Sequence, residues 1–241
     1  PGAGNSEALA AARRHPNLIA IGTLNPRDTF GWKAEADRCF AEGIRVFRFF
    51  PRTQGWAPAS QAFMEILHYL HQRRAIVMVG ISEWGGEWNT VADVARVTAP
   101  LGLPVILAET YYANKPEVVP LMRLHKHLHA DTSFLATVDE VASLANAVGY
   151  QRLLYGSAAP WHPMQKALNQ VLDADLPIAW KRAILGGNAA RLLKLKPRHF
   201  TGCPALPSLD PVGFNEPIID VHSHLGLWMT GLYLENYDPS C

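Results

Sequence analysis

The residues best suited to do chemistry lie near the C-terminus of the 241-residue chain, where Asp220, Val221, His222, Ser223 and His224 end an apolar run. Successive side chains of a β-strand point to opposite faces, so the two histidines point the same way, one pleat apart. Two neutral imidazoles in this arrangement can converge on one metal ion. The same pattern also arises by chance on structural strands, so its meaning depends on the fold around it.

The elements that would position these histidines are strands and helices in regular alternation. Apolar runs predict six strands, over residues 17–24, 44–50, 75–81, 103–109, 128–133 and 152–157. Amphipathic spacing predicts the intervening helices, over residues 30–42, 58–73, 90–101, 116–125, 138–148, 163–172 and 177–193. This order indicates a parallel α/β fold, either a doubly wound sheet or a barrel.

The composition changes after Leu195. The stretch from Lys196 to Pro217 contains five prolines and no periodic apolar face, which predicts a linker over residues 197–216. One further apolar strand then follows within residues 217–241, and it carries the two histidines. The residues before Asn17 predict a helix rather than a strand.

Several motifs resemble those of the amidohydrolase-related (amidohydrolase 2) family. They are HPNLIAIGTLNPRD (15–28), FFPR (49–52), RLLYGSAAP (152–160), ILGGNAARLLKL (184–195) and IIDVHSHLG (218–226), which resembles the opening strand of that family. The resemblance implies a (β/α)8 TIM barrel with a metal site at the C-terminal ends of its strands. It also implies hydrolysis or decarboxylation of small carboxylated or lactone-like substrates by a water bound to a divalent metal, zinc or manganese.

Three positions at which the family implies metal ligands have changed. The expected histidines correspond to Val79 and Glu109, and the aspartate of a GSDxP motif corresponds to Ala158. Valine and alanine have no donor atom, and no carboxylate remains at position 158 to take a proton from a metal-bound water. The resemblance therefore predicts, over residues 1–196, a TIM-barrel-like pseudoenzyme that lacks its own first strand and most of its metal centre.

The position of the histidine strand, after the closing motif, leaves two interpretations open. In the first, residues 217–241 begin a downstream amidohydrolase barrel of the same polypeptide, and residues 1–196 are its non-catalytic, regulatory or substrate-binding partner. In the second, the strand folds back beside residues 152–157 as a closing strand. His222, His224 and Glu109 would then form a two-histidine, one-carboxylate metal site of an active hydrolase or decarboxylase.

Polar residues after other strands are candidate contacts for a small-molecule substrate. The planar guanidinium of Arg48 can bind a substrate carboxylate or form an internal ion pair. Glu83, Tyr111 and His162 would lie at the barrel mouth, where many residues have no function. Asp131 matches a family position near the pocket, but an Asp before Thr-Ser is also typical of a cap or turn, and we favour the cap. A third possibility is a pure binding module, in which Arg48 and nearby tryptophans hold an acid without chemistry.

Composition limits the classes of partner. The chain has 22 basic and 21 acidic residues, and a formal charge of +1 supplies no field for nucleic acid or an anionic membrane. The three cysteines, Cys39, Cys203 and Cys241, lack metal or redox spacing, which favours a reducing cytoplasm. The longest uncharged apolar run, residues 75–82, is far shorter than the roughly 20 residues that span a bilayer.

Overall fold

The computed structural model describes residues 2–82, 89–195 and 219–221. Six parallel strands form one sheet in consecutive order. They are β1 (Gly22–Thr23), β2 (Val46–Phe49), β3 (Ile76–Gly80), β4 (Val105–Ala108), β5 (Leu128–Asp131) and β6 (Leu153–Leu154). The predicted α/β fold with six parallel strands is confirmed. Within the described residues, the sheet runs from β1 to β6 without closing into a complete barrel.

Helices follow the strands as the amphipathic pattern predicts. They are α1 (Gly2–Arg14), α2 (Trp32–Ala41), α3 (Pro51–Gln54), α4 (Gln61–Gln72), α5 (Asn89–Thr98), α6 (Lys115–Leu124), α7 (Glu140–Val148), α8 (Met164–Leu172), α9 (Ile178–Arg182) and α10 (Asn188–Leu193). A π-helical turn, Ala183–Gly187, joins α9 to α10. No helix in the described ranges combines the length and the hydropathy that crossing a membrane requires.

Helix α4 illustrates how the sequence sets the local structure. Its apolar positions 63, 66, 67 and 70 recur at helical spacing and are completely buried against the sheet. Ser60 caps the helix, because its hydroxyl oxygen accepts a hydrogen bond from the Phe63 N–H at 3.4 Å. The cap and the apolar stripe therefore fix where this helix begins and which face it buries.

The pleat of the strands divides the buried side chains into two groups. The outer core, which includes Phe47, Val77 and Leu107, fills the space between the sheet and the helices. The inner cluster lies on the other face of the sheet, where a barrel has its interior. It consists of Val46, Ile76, Met78, Ile106, Ala108, Leu154, Ala189 and Val221. Both faces of the sheet are covered, as expected for parallel strands.

The two edge strands are shorter than their apolar runs predict. Residues 17–21 are not in a strand, and β1 contains only Gly22 and Thr23. At the other edge, the run 152–157 leaves the ladder after Leu154, because the Tyr155 N–H bonds the carbonyl of Ile184 in the π-helical turn. Edge strands have a partner on one side only, so local contacts decide their ends.

Three residues of the C-terminal segment contact this second edge. The Ile219 N–H donates to the Leu185 carbonyl at 2.9 Å, and the Val221 N–H donates to the Tyr155 carbonyl at 3.0 Å. Residues 219–221 thus lie beside the end of β6, but they are not in the strand that the sequence predicts there, because one of their two backbone partners, Leu185, belongs to a helical turn. The predicted linker over residues 197–216, and the rest of the segment 217–241, lie outside the described residues.

Candidate functional site

A buried ion pair lies toward the carboxyl ends of the strands. Arg48 occupies the third position of β2, level with Met78 on β3, and alternation along the strand places it on the inner face. Its Nη2 donates to Glu109 Oε1 at 3.0 Å, and each side chain is only 9% exposed. The guanidinium also lies 4.7 Å from the ring centroid of Phe50. Each charge is removed from water and compensated by the other.

The backbone holds Glu109 in an unusual conformation just after β4. Its φ of +69° lies in the left-handed region, which costs a non-glycine residue roughly 1–2 kcal/mol. The Glu109 N–H donates to Asp131 Oδ1 at 3.1 Å, and its carbonyl accepts from Asn114 Nδ2 at 3.3 Å. The Ser133 hydroxyl also donates to Asp131 Oδ1, at 2.9 Å. Asp131, the last residue of β5, thus fixes both Glu109 and the turn that follows its own strand.

A second polar cluster lies where the chain leaves β6. The carboxylate of Asp220 accepts two hydrogen bonds from Ser157, one from its N–H at 3.0 Å and one from its hydroxyl. The Ser157 oxygen in turn accepts from the Ala159 N–H at 3.0 Å. Ala158 between them is completely buried and has a φ of +53°. Burial, and then the charge of Asp220, raise the pKa of the Tyr155 hydroxyl.

Val79 faces away from this site. The register pairs it with Phe49 on β2 and Leu107 on β4, and all three side chains belong to the outer core. Assigning a family ligand position to Val79 is therefore wrong, because any side chain at 79 points toward the helices. Side chains of a strand alternate between its two faces. Matching the family's ligand position to a residue one place too far along the chain therefore moves it from the inner face to the outer face.

The described residues do not by themselves form a donor set for a divalent metal. No group of three His, Cys, Asp or Glu side chains that could hold an ion occurs in residues 2–82, 89–195 and 219–221. Glu109 is paired with the positive charge of Arg48, and Ala158 offers no donor atom. His222 and His224 lie outside the described residues. A zinc or manganese centre at the carboxyl ends of these strands would need donor atoms from residues outside the described part of the chain.

The other predicted contacts lie on loops at the ends of the strands. The Tyr111 N–H donates to Asn114 Oδ1 at 3.0 Å, so the loop after β4 is tied to the residue that bonds the Glu109 carbonyl. The His162 ring lies edge-on to the Phe134 ring at 5.1 Å, and the backbone N–H of His162 donates to the Ala158 carbonyl at 3.2 Å. Both side chains are partly exposed.

Glu83 and the neighbouring Trp84 and Trp88 lie outside the described residues. The binding of an acid by Arg48 together with tryptophans, among them Trp84, Trp88 and Trp161, therefore stays a prediction.

The sequence has alternating histidines at 125, 127 and 129, a pattern that could suggest a metal site and that favours a solvated helix end running into a strand. His129 instead lies on the inner face of the sheet. His129 on β5 is level with Ile106 on β4, and the register and alternation place it there. Its Nδ1 is buried and has no hydrogen-bond partner within the described residues. Burial lowers the pKa of His129 to about 4, with smaller contributions from the positive charges of Arg152, His127 and Arg191. The imidazole is therefore neutral at pH 7. Its alternation with Leu128 and Ala130, both in the outer core, is the signal that could have found it.

The family comparison agrees with this architecture. The sequence profile described as Amidohydrolase matches residues 2–195. The match covers most of the chain and includes all six strands of the sheet. The chain belongs to the amidohydrolase family. No curated protein sequence matches it.

Solved structures that resemble this chain are TIM barrels and amidohydrolase-family decarboxylases. An uncharacterised TIM-barrel protein from Bordetella bronchiseptica has a TM-score of 0.71 at 18% identity, covering 79% of this chain and 72% of that one. A 2,6-dihydroxybenzoate decarboxylase from Rhizobium has a TM-score of 0.65 at 14% identity, covering 79% and 76%.

A third similar structure is a 5-carboxyvanillate decarboxylase from Novosphingobium aromaticivorans with bound manganese. It has a TM-score of 0.65 at 14% identity, covering 79% of this chain and 69% of that one. These similarities establish the fold of the described residues. Sequence identities of 14–18% do not show a shared activity.

Proposed function

We propose that residues 2–195 form a non-catalytic, small-molecule-binding barrel of the amidohydrolase family that acts with a downstream amidohydrolase barrel of the same polypeptide. The Arg48–Glu109 ion pair carries this proposal. The guanidinium of Arg48 supplies a positive charge near the strand ends, where the family resemblance implies a metal cation. Glu109 is thereby compensated without a metal ion. Ala158, which has no donor atom, supports the same conclusion.

The ligand class we propose is a small carboxylate, aromatic or lactone-derived. A guanidinium has five N–H donors in a planar fork, so Arg48 can keep its bond to Glu109 while it binds a carboxylate. Similar structures include decarboxylases named for dihydroxybenzoate and carboxyvanillate, which are aromatic carboxylates. Tyr111, His162 and Glu83 are proposed contacts at the rim. A cytoplasmic location, expected from the cysteine content, is part of the same proposal.

Metal analysis and ligand titration test this function together. We expect the full chain, after dialysis, to contain no stoichiometric zinc or manganese, and to bind 2,6-dihydroxybenzoate in calorimetric titration without converting it. Arg48→Lys should weaken binding by roughly tenfold or more, because the planar fork is lost. Arg45→Lys, the same change at the exposed residue just before β2, is the matched control. Near one equivalent of metal, or equal affinity in both variants, would contradict the proposal.

One observation favours a second candidate, a metal-dependent hydrolase or decarboxylase that uses His222, His224 and Glu109. Asp220 binds Ser157, so the residue two positions before His222 lies beside the strand end that also bears Ala158. If this candidate is correct, the full chain should hold one equivalent of zinc or manganese. His222→Ala and Glu109→Gln should each lose both the metal and the turnover of a carboxylated substrate. His71→Ala, an exposed histidine on α4, is the control.

A further inference from the structure

We propose that the edge of the sheet beyond β6 is an acceptor site for an extended segment of this same chain, which residues 219–221 fill, and that Asp220 sets the register of that segment. The proposal concerns an interaction surface: it assigns residues 219–221 to this barrel, whether or not the barrel is catalytic, so a downstream barrel would have to begin after this segment. Four observations support it: the spacing of the backbone hydrogen bonds, the elements that supply the two accepting carbonyls, the contact of Asp220 with Ser157, and the apolar packing.

The backbone hydrogen bonds have the spacing of a strand. The N–H groups of Ile219 and Val221 are two residues apart and donate to Leu185 and Tyr155 at 2.9 and 3.0 Å. In an extended chain, N–H groups two residues apart point to the same side. Residues 219–221 therefore present one edge to the barrel, as the segment does in β-augmentation, although they do not form a regular ladder with β6.

The acceptor carbonyls come from two different elements. Tyr155 is the first residue after β6, and Leu185 lies in the π-helical turn between α9 and α10. A π-helical turn shifts the hydrogen-bond pattern of a helix and so releases carbonyl groups. The Ile184 carbonyl accepts from Tyr155, and the next carbonyl, that of Leu185, accepts from Ile219. The turn thus links the end of β6 to the added segment.

Asp220 gives this edge its specificity. Its two carboxylate oxygens accept the N–H and the hydroxyl hydrogen of Ser157, a residue that is itself completely buried. Hydrogen bonds to a charged acceptor are stronger than neutral ones. A slip of one residue would place Ile219 or Val221 opposite Ser157 and leave its buried donors without the carboxylate. Only one register satisfies both the polar and the apolar contacts.

Apolar contacts stabilise the bound position of residues 219–221. Val221 is 8% exposed and belongs to the inner cluster together with Met78, Ile106 and Leu154, and Ile219 packs on the same cluster. Without residues 219–221, this face of the sheet would expose apolar side chains at an open edge. An uncovered apolar edge binds other chains, so covering it by a segment of the same chain is favourable.

The test cuts the full chain between the barrel and the segment. A protease recognition sequence inserted within residues 197–216 is cleaved, and the products are separated by size exclusion under native conditions. We expect the C-terminal fragment to co-elute with the barrel as a single monomer-sized complex. Asp220→Ala should speed release of the fragment by about 10- to 100-fold, as expected for losing a charged hydrogen-bond acceptor. The matched control is Asp175→Ala, an exposed aspartate outside the contact.

A second measurement uses the uncut protein, so that it also applies to variants that unfold or aggregate after cleavage. In the uncut protein, hydrogen exchange should show the amides of Ile219 and Val221 protected by about 100-fold or more, and Asp220→Ala should remove that protection. Two results would overturn the proposal: wild-type fragment that separates at once with unprotected amides, or fragment retained only in dimers, which would mean exchange between two copies.

Discussion

Removing one partner of the Arg48–Glu109 ion pair should cost more than removing both. Glu109→Gln leaves the guanidinium of Arg48 buried without its counter-charge, which typically destabilises a fold by about 3–5 kcal/mol. The double variant Arg48→Met with Glu109→Gln removes both charges, so we expect it to recover a large part of that loss. Urea unfolding of the wild type, both single variants and the double variant gives the coupling energy.

A second double-mutant cycle, on an exposed ion pair, is the control. Lys33 and Asp37 form an ion pair on the exposed face of α2, at 3.8 Å. Breaking an exposed pair of this kind changes stability little, because water screens both charges. If the two cycles give equal coupling energies, the Arg48–Glu109 pair is not a desolvated pair of the kind described above.

His129 should make the stability of the protein depend on pH in the acidic range. Its pKa is lowered to about 4 in the folded state, from an ordinary value of 6.5. The unfolded chain therefore binds a proton that the folded chain excludes between these values. This contribution is constant above pH 6.5, and stability is lost as pH falls from 6.5 toward 4, by on the order of 2–3 kcal/mol.

Substitution of His129 isolates this contribution. We expect His129→Gln to flatten the stability profile between pH 6.5 and 4, when urea midpoints are measured at each pH. His71→Gln, at an exposed position of α4, should leave the profile unchanged. A profile for His129→Gln that is parallel to the wild-type profile would show that other groups cause the acid sensitivity.

Strand β3 shows how the pleat limits what a substitution can build. Val79→His, suggested by the family pattern, would place an imidazole in the outer core, where Val79 is completely buried. We expect a loss of about 2–4 kcal/mol in unfolding free energy, from overpacking and from burying a polar ring. The metal content should not rise. Val79→Ile, which keeps the apolar character, should cost less, and a stable Val79→His protein that gains metal would contradict the observed register.

The sequence predicts the middles of the elements well and their ends poorly. The runs containing Val77 and Val105 are apolar without interruption, and only a strand covered on both faces accommodates them. By contrast, the run 17–24 has the same character, yet only Gly22 and Thr23 pair with β2. Pairing at an edge depends on what lies beside the strand, and that information is distant in sequence.

The site shows the same division between local and distant information. Arg48 and Glu109 are both recognisable at strand ends, but they lie 61 residues apart and belong to strands separated by β3. In a flat sheet, such positions are about 9–10 Å apart. The two long side chains meet across β3, and the left-handed φ of Glu109, which sets the direction of its side chain, cannot be deduced from local composition.

The complete molecule should be most rigid in the centre of its sheet. Strands β3 and β4 have a parallel neighbour on each side and are buried at every position. We expect the amides of Val77 and Val105, which donate to the carbonyls of Pro104 and His127 at 3.0 Å, to exchange slowest. The amide of Thr23 on β1 donates to Asn5 Oδ1 on α1 at 2.8 Å, yet it should exchange at least about 100-fold faster, since an edge strand and its covering helix can open without unfolding the core. Equal rates would mean that the sheet opens only as one unit.

The consecutive order of the strands also has a consequence for synthesis on the ribosome. Each strand from β2 to β6 pairs with the strand that was made just before it, so the sheet can grow by one strand at a time as the chain emerges. Residues 219–221 are the exception, because Asp220 and its partner Ser157 are 63 residues apart in sequence. Until that segment has left the ribosomal exit tunnel, the apolar side chains beside β6 lack this cover. The nascent barrel is then most exposed to chaperones and to aggregation at this one edge.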